Sequence, residues 1–271
     1  MIPRIFFTYW EGDQLSELHY FTIYSLHKYN PNDIIYIYTS LYESDKFVEW
    51  NSHEHNTKIN NKIKLDEIIN ISQNIKLIKI NFKEEYNIVN NISCVYKADF
   101  IRIAKLYEHG GMWFDMDILF IKNIPDYFFN TNVDTILFTY GDTIPTGLLL
   151  STPKSELLTI LYNSALTIIQ NKNMNDYQII GPNLWIECYL KSSKKNMELV
   201  DNSYVYPYDW ITFSKFFNSN DDSNITKNTF GIHWYNGSPI TKNFINSNSS
   251  LKNCDAEKNI CFRYIKKLYI S

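Results

Sequence analysis

The chain has 271 residues, 45% of them hydrophobic and 20% charged, with a formal net charge of −3 and a pI near 6.1. That length and apolar content suffice for a large core in one α/β domain, which sets aside the disordered classes. The mild acidity gives no general nucleic-acid footprint, and no apolar run approaches the length of a transmembrane helix.

The N-terminal half alternates strand and helix. Arg4 to Trp10 is an apolar run that predicts a first strand. Because Glu11 and Asp13 interrupt it, MIPRIFFTYWEG reads as a strand and not as a secretion signal, so a cytoplasmic location is expected. Gln14 to Tyr29 predicts a helix with Asp13 as N-cap and Pro31 as a stop, followed by a strand at Ile34 to Tyr38. Residues 42 to 72 are polar and expected to be helical with an irregular piece, and Ile75 to Ile80 predicts a third strand.

The run CVYKADFIRIAKLYEHGGMWFDMDILFI, residues 94 to 121, is the most informative in the chain. Tyr96, Phe100, Ile103 and Tyr107 recur at the spacing of one helical stripe facing a core. Asp99 and Arg102 share another face, three residues apart, where they can orient one another or grip one polar ligand. Gly110 and Gly111 end the helix, because glycine takes the left-handed conformation without a Cβ clash. In an extended strand beyond them, Met112, Phe114 and Met116 would point one way, and Trp113, Asp115 and Asp117 the other. Two carboxylates projecting together repel unless a divalent cation or a hydrogen-bonding ligand sits between them, and Asp oxygens suit Mg²⁺ or Mn²⁺. A bare D-x-D is equally compatible with a solvated turn.

Further along, Thr135 to Thr139, Gly147 to Ser151 and a helix from Ser155 to Gln170 continue the alternation. Gly181 and Pro182 mark a turn before another helix. Such alternation predicts a mostly parallel sheet with helices on both faces, binding its ligand at the carboxyl ends of strands. From about residue 200 the pattern breaks into short aromatic segments and polar loops, with 217 to 229 expected to be a mobile flap. The final FRYIKKLYIS is expected to dock as a terminal helix or strand, although Arg263, Lys266 and Lys267 also suit peripheral contact with an anionic membrane. Cys94, Cys188, Cys254 and Cys261 form no C-x-x-C pair, so isolated thiols are expected; Cys254 and Cys261 could pair in an exported protein.

The central run resembles the signature of the DXD-containing sugar transferases. That group spans α-1,6-mannosyltransferases, α-1,4-galactosyltransferases, capsular polysaccharide enzymes and, more distantly, the catalytic domain of clostridial glucosylating toxins. The family pattern A/S-D-x-x-R, then L-Y-x-x-G-G-x-Y-x-D-x-D, is met by Ala98, Asp99, Arg102, Leu106, Tyr107, Gly110, Gly111, Asp115 and Asp117, with Trp113 replacing the usual Tyr. IPRIFFTYWEG is similar to the family's first strand, which implies that Tyr9 or Trp10 stacks on the nucleotide base. GIHWYNGSP resembles its late His-containing segment and implies His233 as a third metal ligand or diphosphate contact. Pro239 stands where the family has Trp, which leaves the role of Ser238 open. A lone His is more often structural, but this one lies in a Gly-flanked polar loop.

The resemblance implies one α/β domain of the GT-A type over residues 1–271, with a nucleotide-sugar half (1–125), an acceptor-side half (126–271) that carries a C-terminal metal or diphosphate loop, and the DXD motif at a strand end. It implies a Mn²⁺- or Mg²⁺-dependent hexosyltransferase that takes its sugar from a UDP-hexose and passes it, with retention, to a glycan, glycolipid or glycoprotein. Asp99, Arg102, Asp115 and Asp117 are the expected catalytic set, Asp115, Asp117 and His233 the metal set. Tyr9, Trp10, Asp99, Arg102, Asp115, His233 and Ser238 are the expected donor contacts. Two other classes remain open: a non-catalytic nucleotide-sugar or glycan binder on the same fold, and a haloacid-dehalogenase-type phosphatase using D-M-D as its nucleophile loop.

Overall fold

The computed structural model describes residues 1–42, 62–89, 92–141, 143–171, 176, 178–248 and 250–270. The first half runs β1 (Ile5–Tyr9), β2 (Gln14–Ser16), α1 (Glu17–Tyr29), β3 (Ile34–Ser40), β4 (Lys62–Lys64), a 3₁₀ stretch (Leu65–Ile71), β5 (Ile75–Ile80), α2 (Phe82–Tyr86), α3 (Cys94–His109), β6 (Gly111–Phe114) and β7 (Ile118–Phe120). The second runs β8 (Thr135–Thr139), β9 (Leu148–Ser151), α4 (Glu156–Gln170), α5 (Pro182–Lys191), β10 (Met197–Asp201), α6 (Lys215–Asn218), β11 (Gly231–His233), α7 (Pro239–Ser247) and α8 (Ile260–Ile270).

Seven strands form one sheet in the order β10-β8-β9-β6-β1-β3-β5. Every neighbouring pair is parallel except the two that β9 makes, so β9 alone runs against the rest. The period of two along each strand divides the side chains between two cores. Phe7, Tyr38, Trp113, Leu137 and Leu149 pack under α3, α4 and α5, whereas Phe6, Ile37, Met112, Phe114, Ile136, Leu148 and Leu150 face α1. A third cluster, including Phe21, Leu119, Phe216, Trp234 and Ile265, fills the space under α6, α7 and α8.

The chain reversal at the end of α3 needs both glycines. Gly110 and Gly111 have φ of +64° and +106°, and a Cβ on Gly110 would lie 2.6 Å from Pro153. Strand β6 therefore starts directly beneath the helix and enters the sheet between β1 and β9.

Several local expectations differ from what forms. The helix expected from Gln14 starts at Glu17, because Ser16 and His19 make a reciprocal capping box and residues 14–16 pair with 62–64. Of the helical expectation over 42 to 72, residues 43–61 lie outside the described residues, and 62–71 form a short strand and a 3₁₀ stretch. The segment 217–229, expected to be a flap, is tied down: Arg263 donates to Asp222 and to the Asn220 carbonyl, and Lys122 donates to the Lys227 carbonyl. The terminal segment docks as α8, burying Ile260, Phe262, Ile265 and Leu268. All four cysteines are free thiols, and among the described residues no helix is long and apolar enough to cross a membrane.

Candidate active site

The site lies at the carboxyl edge of the sheet, where β6 ends. The D-M-D segment is a tight turn between β6 and β7 and not the continuous strand expected. Its residues nevertheless divide as alternation demands, with Met116 entering the core of Met112 and Phe114. The Asp115 N–H donates to the Gly147 carbonyl at 2.7 Å, the last rung before the β6–β9 ladder ends. Beyond the turn, β7 pairs antiparallel with β11 and sets His233 opposite Ile118, so a residue 116 positions after Asp117 arrives beside it.

Arg102 organises the carboxylates. From α3 its Nη1 donates to Asp99 Oδ1 at 2.6 Å and to Thr146 Oγ1 at 2.7 Å, while Nη2 donates to Asp115 Oδ1 at 2.8 Å. Trp113 Nε1 also donates to Asp115 Oδ1, at 2.7 Å, and the guanidinium carbon sits 5.1 Å from the Trp113 ring centre. The tryptophan in the family's aromatic position thus orients one acid and stacks near its counter-ion. Burial pushes the Asp99 carboxyl up to about 6, against the pull of Arg102. Burial opposes the charge on Arg102, but Asp115 and Asp99 outweigh it and raise its pKa.

Asp117 is held from another side. Its Oδ2 accepts the Asn236 N–H at 2.8 Å, and its carbonyl accepts the Trp234 N–H at 2.8 Å. Burial disfavours its charge, yet His233 and the Asn236 N–H together hold the carboxyl below the usual range. His233 Nε2 lies 3.1 Å from Asp117 Oδ1 without hydrogen-bond geometry, and Oδ1 has no donor although it is buried. Burial lowers the His233 pKa, but the two acids reverse this and raise it.

Asp115, Asp117 and His233 offer ligand atoms that all lie within 4.8 Å of one another. Two hard oxygens and an imidazole nitrogen suit Mn²⁺ or Mg²⁺. Two observations show that the residues fit such an ion. Asp117 Oδ1 is a buried acceptor with nothing to accept, and Gly147 supplies a bare wall, since a Cβ there would lie 3.2 Å from both Asp115 Oδ2 and His233 Cδ2.

The sequence offers no motif for four further residues at this place. Tyr206, from the segment after β10, has a buried hydroxyl with no partner and a ring 5.1 Å from that of His233. Thr146 and Gly147 come from the loop before β9, and Asn236 from the turn after β11. A fifth, His19 on α1, is fully buried between Trp10 and Trp234, and burial lowers its pKa to about 4. The Gly181–Pro182 turn does start a helix, and a Cβ on Gly181 would lie 3.1 Å from Asp99 Oδ2.

The expected base-stacking residues lie at the end of β1, Tyr9 as its last residue and Trp10 just beyond. Tyr9 is only 6% exposed and donates to Glu11 at 2.6 Å, whereas Trp10 is half-buried against His19 with Nε1 donating to the Gln14 carbonyl. Ser238 caps α7, its hydroxyl accepting the Ile240 N–H at 3.1 Å. Pro239, the departure from the family pattern, occupies the first turn of that helix, where a missing N–H costs nothing.

Residues 16–138 match the family described as "Glycosyltransferase sugar-binding region containing DXD motif". "Uncharacterized glycosyltransferase L373" of Acanthamoeba polyphaga mimivirus is 29% identical over 189 residues, 65% of this chain and 73% of that protein. Among solved structures, the PaToxG glycosyltransferase superposes with a TM-score of 0.50 over 98% of this chain and 87% of its own, at 14% identity, a likeness of fold. Over residues 16–138 the chain is similar to the DXD-containing glycosyltransferases, and its fold is of the GT-A type.

Proposed function

We propose that the protein transfers a hexosyl group from a UDP-sugar to an acceptor hydroxyl, with divalent-cation assistance and retention at the anomeric carbon. The observation that carries this reading is the convergence of Asp115, Asp117 and His233, with an unsatisfied carboxylate oxygen, beside the buried Asp99–Arg102 pair. A Mn²⁺ or Mg²⁺ ion held by those three residues supplies positive charge against the leaving diphosphate.

The chain's own residues do the rest by positioning. Asp99 accepts from donor-sugar hydroxyls and Arg102 fixes that carboxylate through its 2.6 Å bond. Arg102 Nε and the Tyr206 hydroxyl are buried polar groups without partners, and they meet oxygens of the bound donor. Trp10 offers its ring to the base, since Tyr9 is enclosed. In this reading residues 1–125 serve the donor and 126–271 form the acceptor side, with Tyr206 and the loop of His233 reaching back to the metal and diphosphate. The acceptor oxygen bonds to the anomeric carbon on the face that the diphosphate leaves. The carbon–oxygen bond to phosphate breaks with its electron pair, and the diphosphate takes the acceptor proton. Among the described residues the site carboxylates are already committed, Asp99 and Asp115 to Arg102 and Asp117 to Asn236, which favours this front-face route over a covalent intermediate.

Release of nucleoside diphosphate from UDP- and GDP-sugars, with Mn²⁺, Mg²⁺ or EDTA, tests the reading in wild type and Asp117→Ala. Metal-dependent turnover of a UDP-hexose, lost in the variant, is the expected result; turnover that survives EDTA, or none with any donor, rejects it.

A further inference from the structure

Three segments that build the site leave it and meet again at its rim as an exposed aromatic patch. The loop 139–147 brings Thr146 and Gly147 to the carboxylates and leaves Tyr140 50% exposed. The segment after β10 brings Tyr206 beside His233 and then exposes Trp210 at 43% and Ile211 at 85%. The turn after β11 carries His233 and, two residues on, the half-buried Tyr235. The Tyr140 hydroxyl donates to Asp209 Oδ2 at 3.0 Å, the Trp210 ring meets Tyr235 edge-on at 5.5 Å, and the Tyr235 ring meets His233 edge-on at 4.4 Å.

The turn that carries Trp210 is braced. Asp209 Oδ1 accepts the N–H groups of Ile211 (3.0 Å) and Thr212 (2.8 Å) and the Thr212 hydroxyl (2.7 Å), while its carbonyl accepts the Phe213 N–H at 2.8 Å. Bracing holds two large apolar side chains in water that core burial would favour by roughly 1.5–3 kcal/mol each. A rigid apolar surface beside a reactive site is a recognition surface.

We propose that Tyr140, Trp210 and Tyr235, with the Asp209 carboxylate, form the acceptor subsite, and that the acceptor they take is an uncharged carbohydrate. The assignment rests on the transferase reading above. A sugar ring has an apolar C–H face that lies on an aromatic ring and a rim of hydroxyls that needs acceptors. Trp210 supplies the face, and Asp209 Oδ2 with the Tyr140 oxygen supplies the acceptors. The segments 139–147, 205–213 and 235–240 contain no Lys or Arg, so a phosphorylated or carboxylated acceptor finds no counter-charge in them, and Asp209 repels it. The path from Trp210 through Tyr235 to His233 places the sugar's far end at the reacting centre.

Saturation-transfer NMR on the whole chain, with lactose, maltose, cellobiose and N,N′-diacetylchitobiose as probes, tests the subsite without turnover. At least one disaccharide is expected to bind the wild type, about tenfold more weakly to Trp210→Ala and with nearly wild-type affinity to Trp210→Phe. Tyr140→Ala, changed on a different segment, is expected to weaken the same sugar. Failure of every disaccharide to bind, or equal binding to wild type and Trp210→Ala, overturns the subsite. So does binding of phosphatidylserine vesicles or an acidic peptide that depends on Trp210. Nucleoside diphosphate release by the wild type reads the transferase assignment separately: sugar binding with no turnover of any donor removes that assignment and leaves the carbohydrate site standing.

Discussion

Gly147 and Asp115 meet across the end of the sheet, with the Gly147 carbonyl accepting the Asp115 N–H at 2.7 Å and its Cα directed at the carboxylate. A Cβ at 147 would lie 2.8 Å from the Tyr206 hydroxyl and 3.2 Å from Asp115 Oδ2. Gly147→Ala is therefore expected to lower kcat/KM for the donor by at least about tenfold, some 1.4 kcal/mol of lost transition-state stabilisation. The thermal midpoint is expected to fall as well, because the methyl also presses on the buried Tyr206. Donor kinetics at saturating Mn²⁺ beside a melting curve check it, and a fully active variant contradicts the tight wall drawn here.

Asp117→Asn keeps the shape of the side chain and its bond from the Asn236 N–H while removing the charge. In the wild type, Mn²⁺ at about a hundred times its Kd is expected to stabilise the fold by about 2.7 kcal/mol. In Asp117→Asn most of that gain is expected to vanish, with the metal-free stability little changed. Urea titrations with and without Mn²⁺ read both quantities, and an undiminished Mn²⁺ effect in the variant would place the ion elsewhere.

A third expectation concerns pH. The Asp99 carboxyl is raised from 3.8 to about 6 by burial. In the unfolded chain it ionises first, so between pH 3.8 and about 6 the folded state holds more protons, and stability from this group falls as pH rises. Its contribution is fully present below 3.8 and lost above 6, on the order of 3 kcal/mol. Asp99→Asn is expected to flatten that part of the stability–pH curve in EDTA. A slope equal to wild type would assign the titration to another group.

Lys97 has a side chain with no exposed surface, and its Nζ donates to Glu11 at 3.0 Å and to the Tyr42 carbonyl at 3.0 Å. Lys97→Met leaves Glu11 facing a buried gap, and is expected to cost about 3–5 kcal/mol. Adding Glu11→Gln is expected to recover much of this. Denaturant midpoints for the two single variants and the double variant form the test, and additive losses would show that the pair is not coupled.

How much of this was legible in the sequence depends on how local each signal is. Ile75–Ile80 and Thr135–Thr139 form where apolar runs between polar breaks predict them, and the GG reversal after α3 forms where glycine alone is tolerated. Asp13 failed as a cap because one local and one distant fact outweighed it: the Ser16–His19 box and the pairing of residues 14–16 with 62–64. Asp99, Arg102, Asp115 and Asp117 were legible because the spacing of one helix, one turn and one strand end fixes them. Tyr206, Gly147 and Asn236 were not, because tertiary pairing, β6 with β9 and β7 with β11, brings them in from unrelated segments.

Strand β9, the one member of the sheet that runs backwards, gives the protein a modular loop. Because β8 runs up to the site edge and β9 starts from it, the connection from Thr139 to Leu148 is anchored at both ends beside the reacting centre. Between Tyr140 and Pro145 its length and chemistry can change without moving the last rung, which Gly147 makes with Asp115. Exchanging residues 140–145 between relatives, with Thr146 and Gly147 kept as partners of Arg102 and Asp115, should transplant acceptor preference while the donor machinery stays in place.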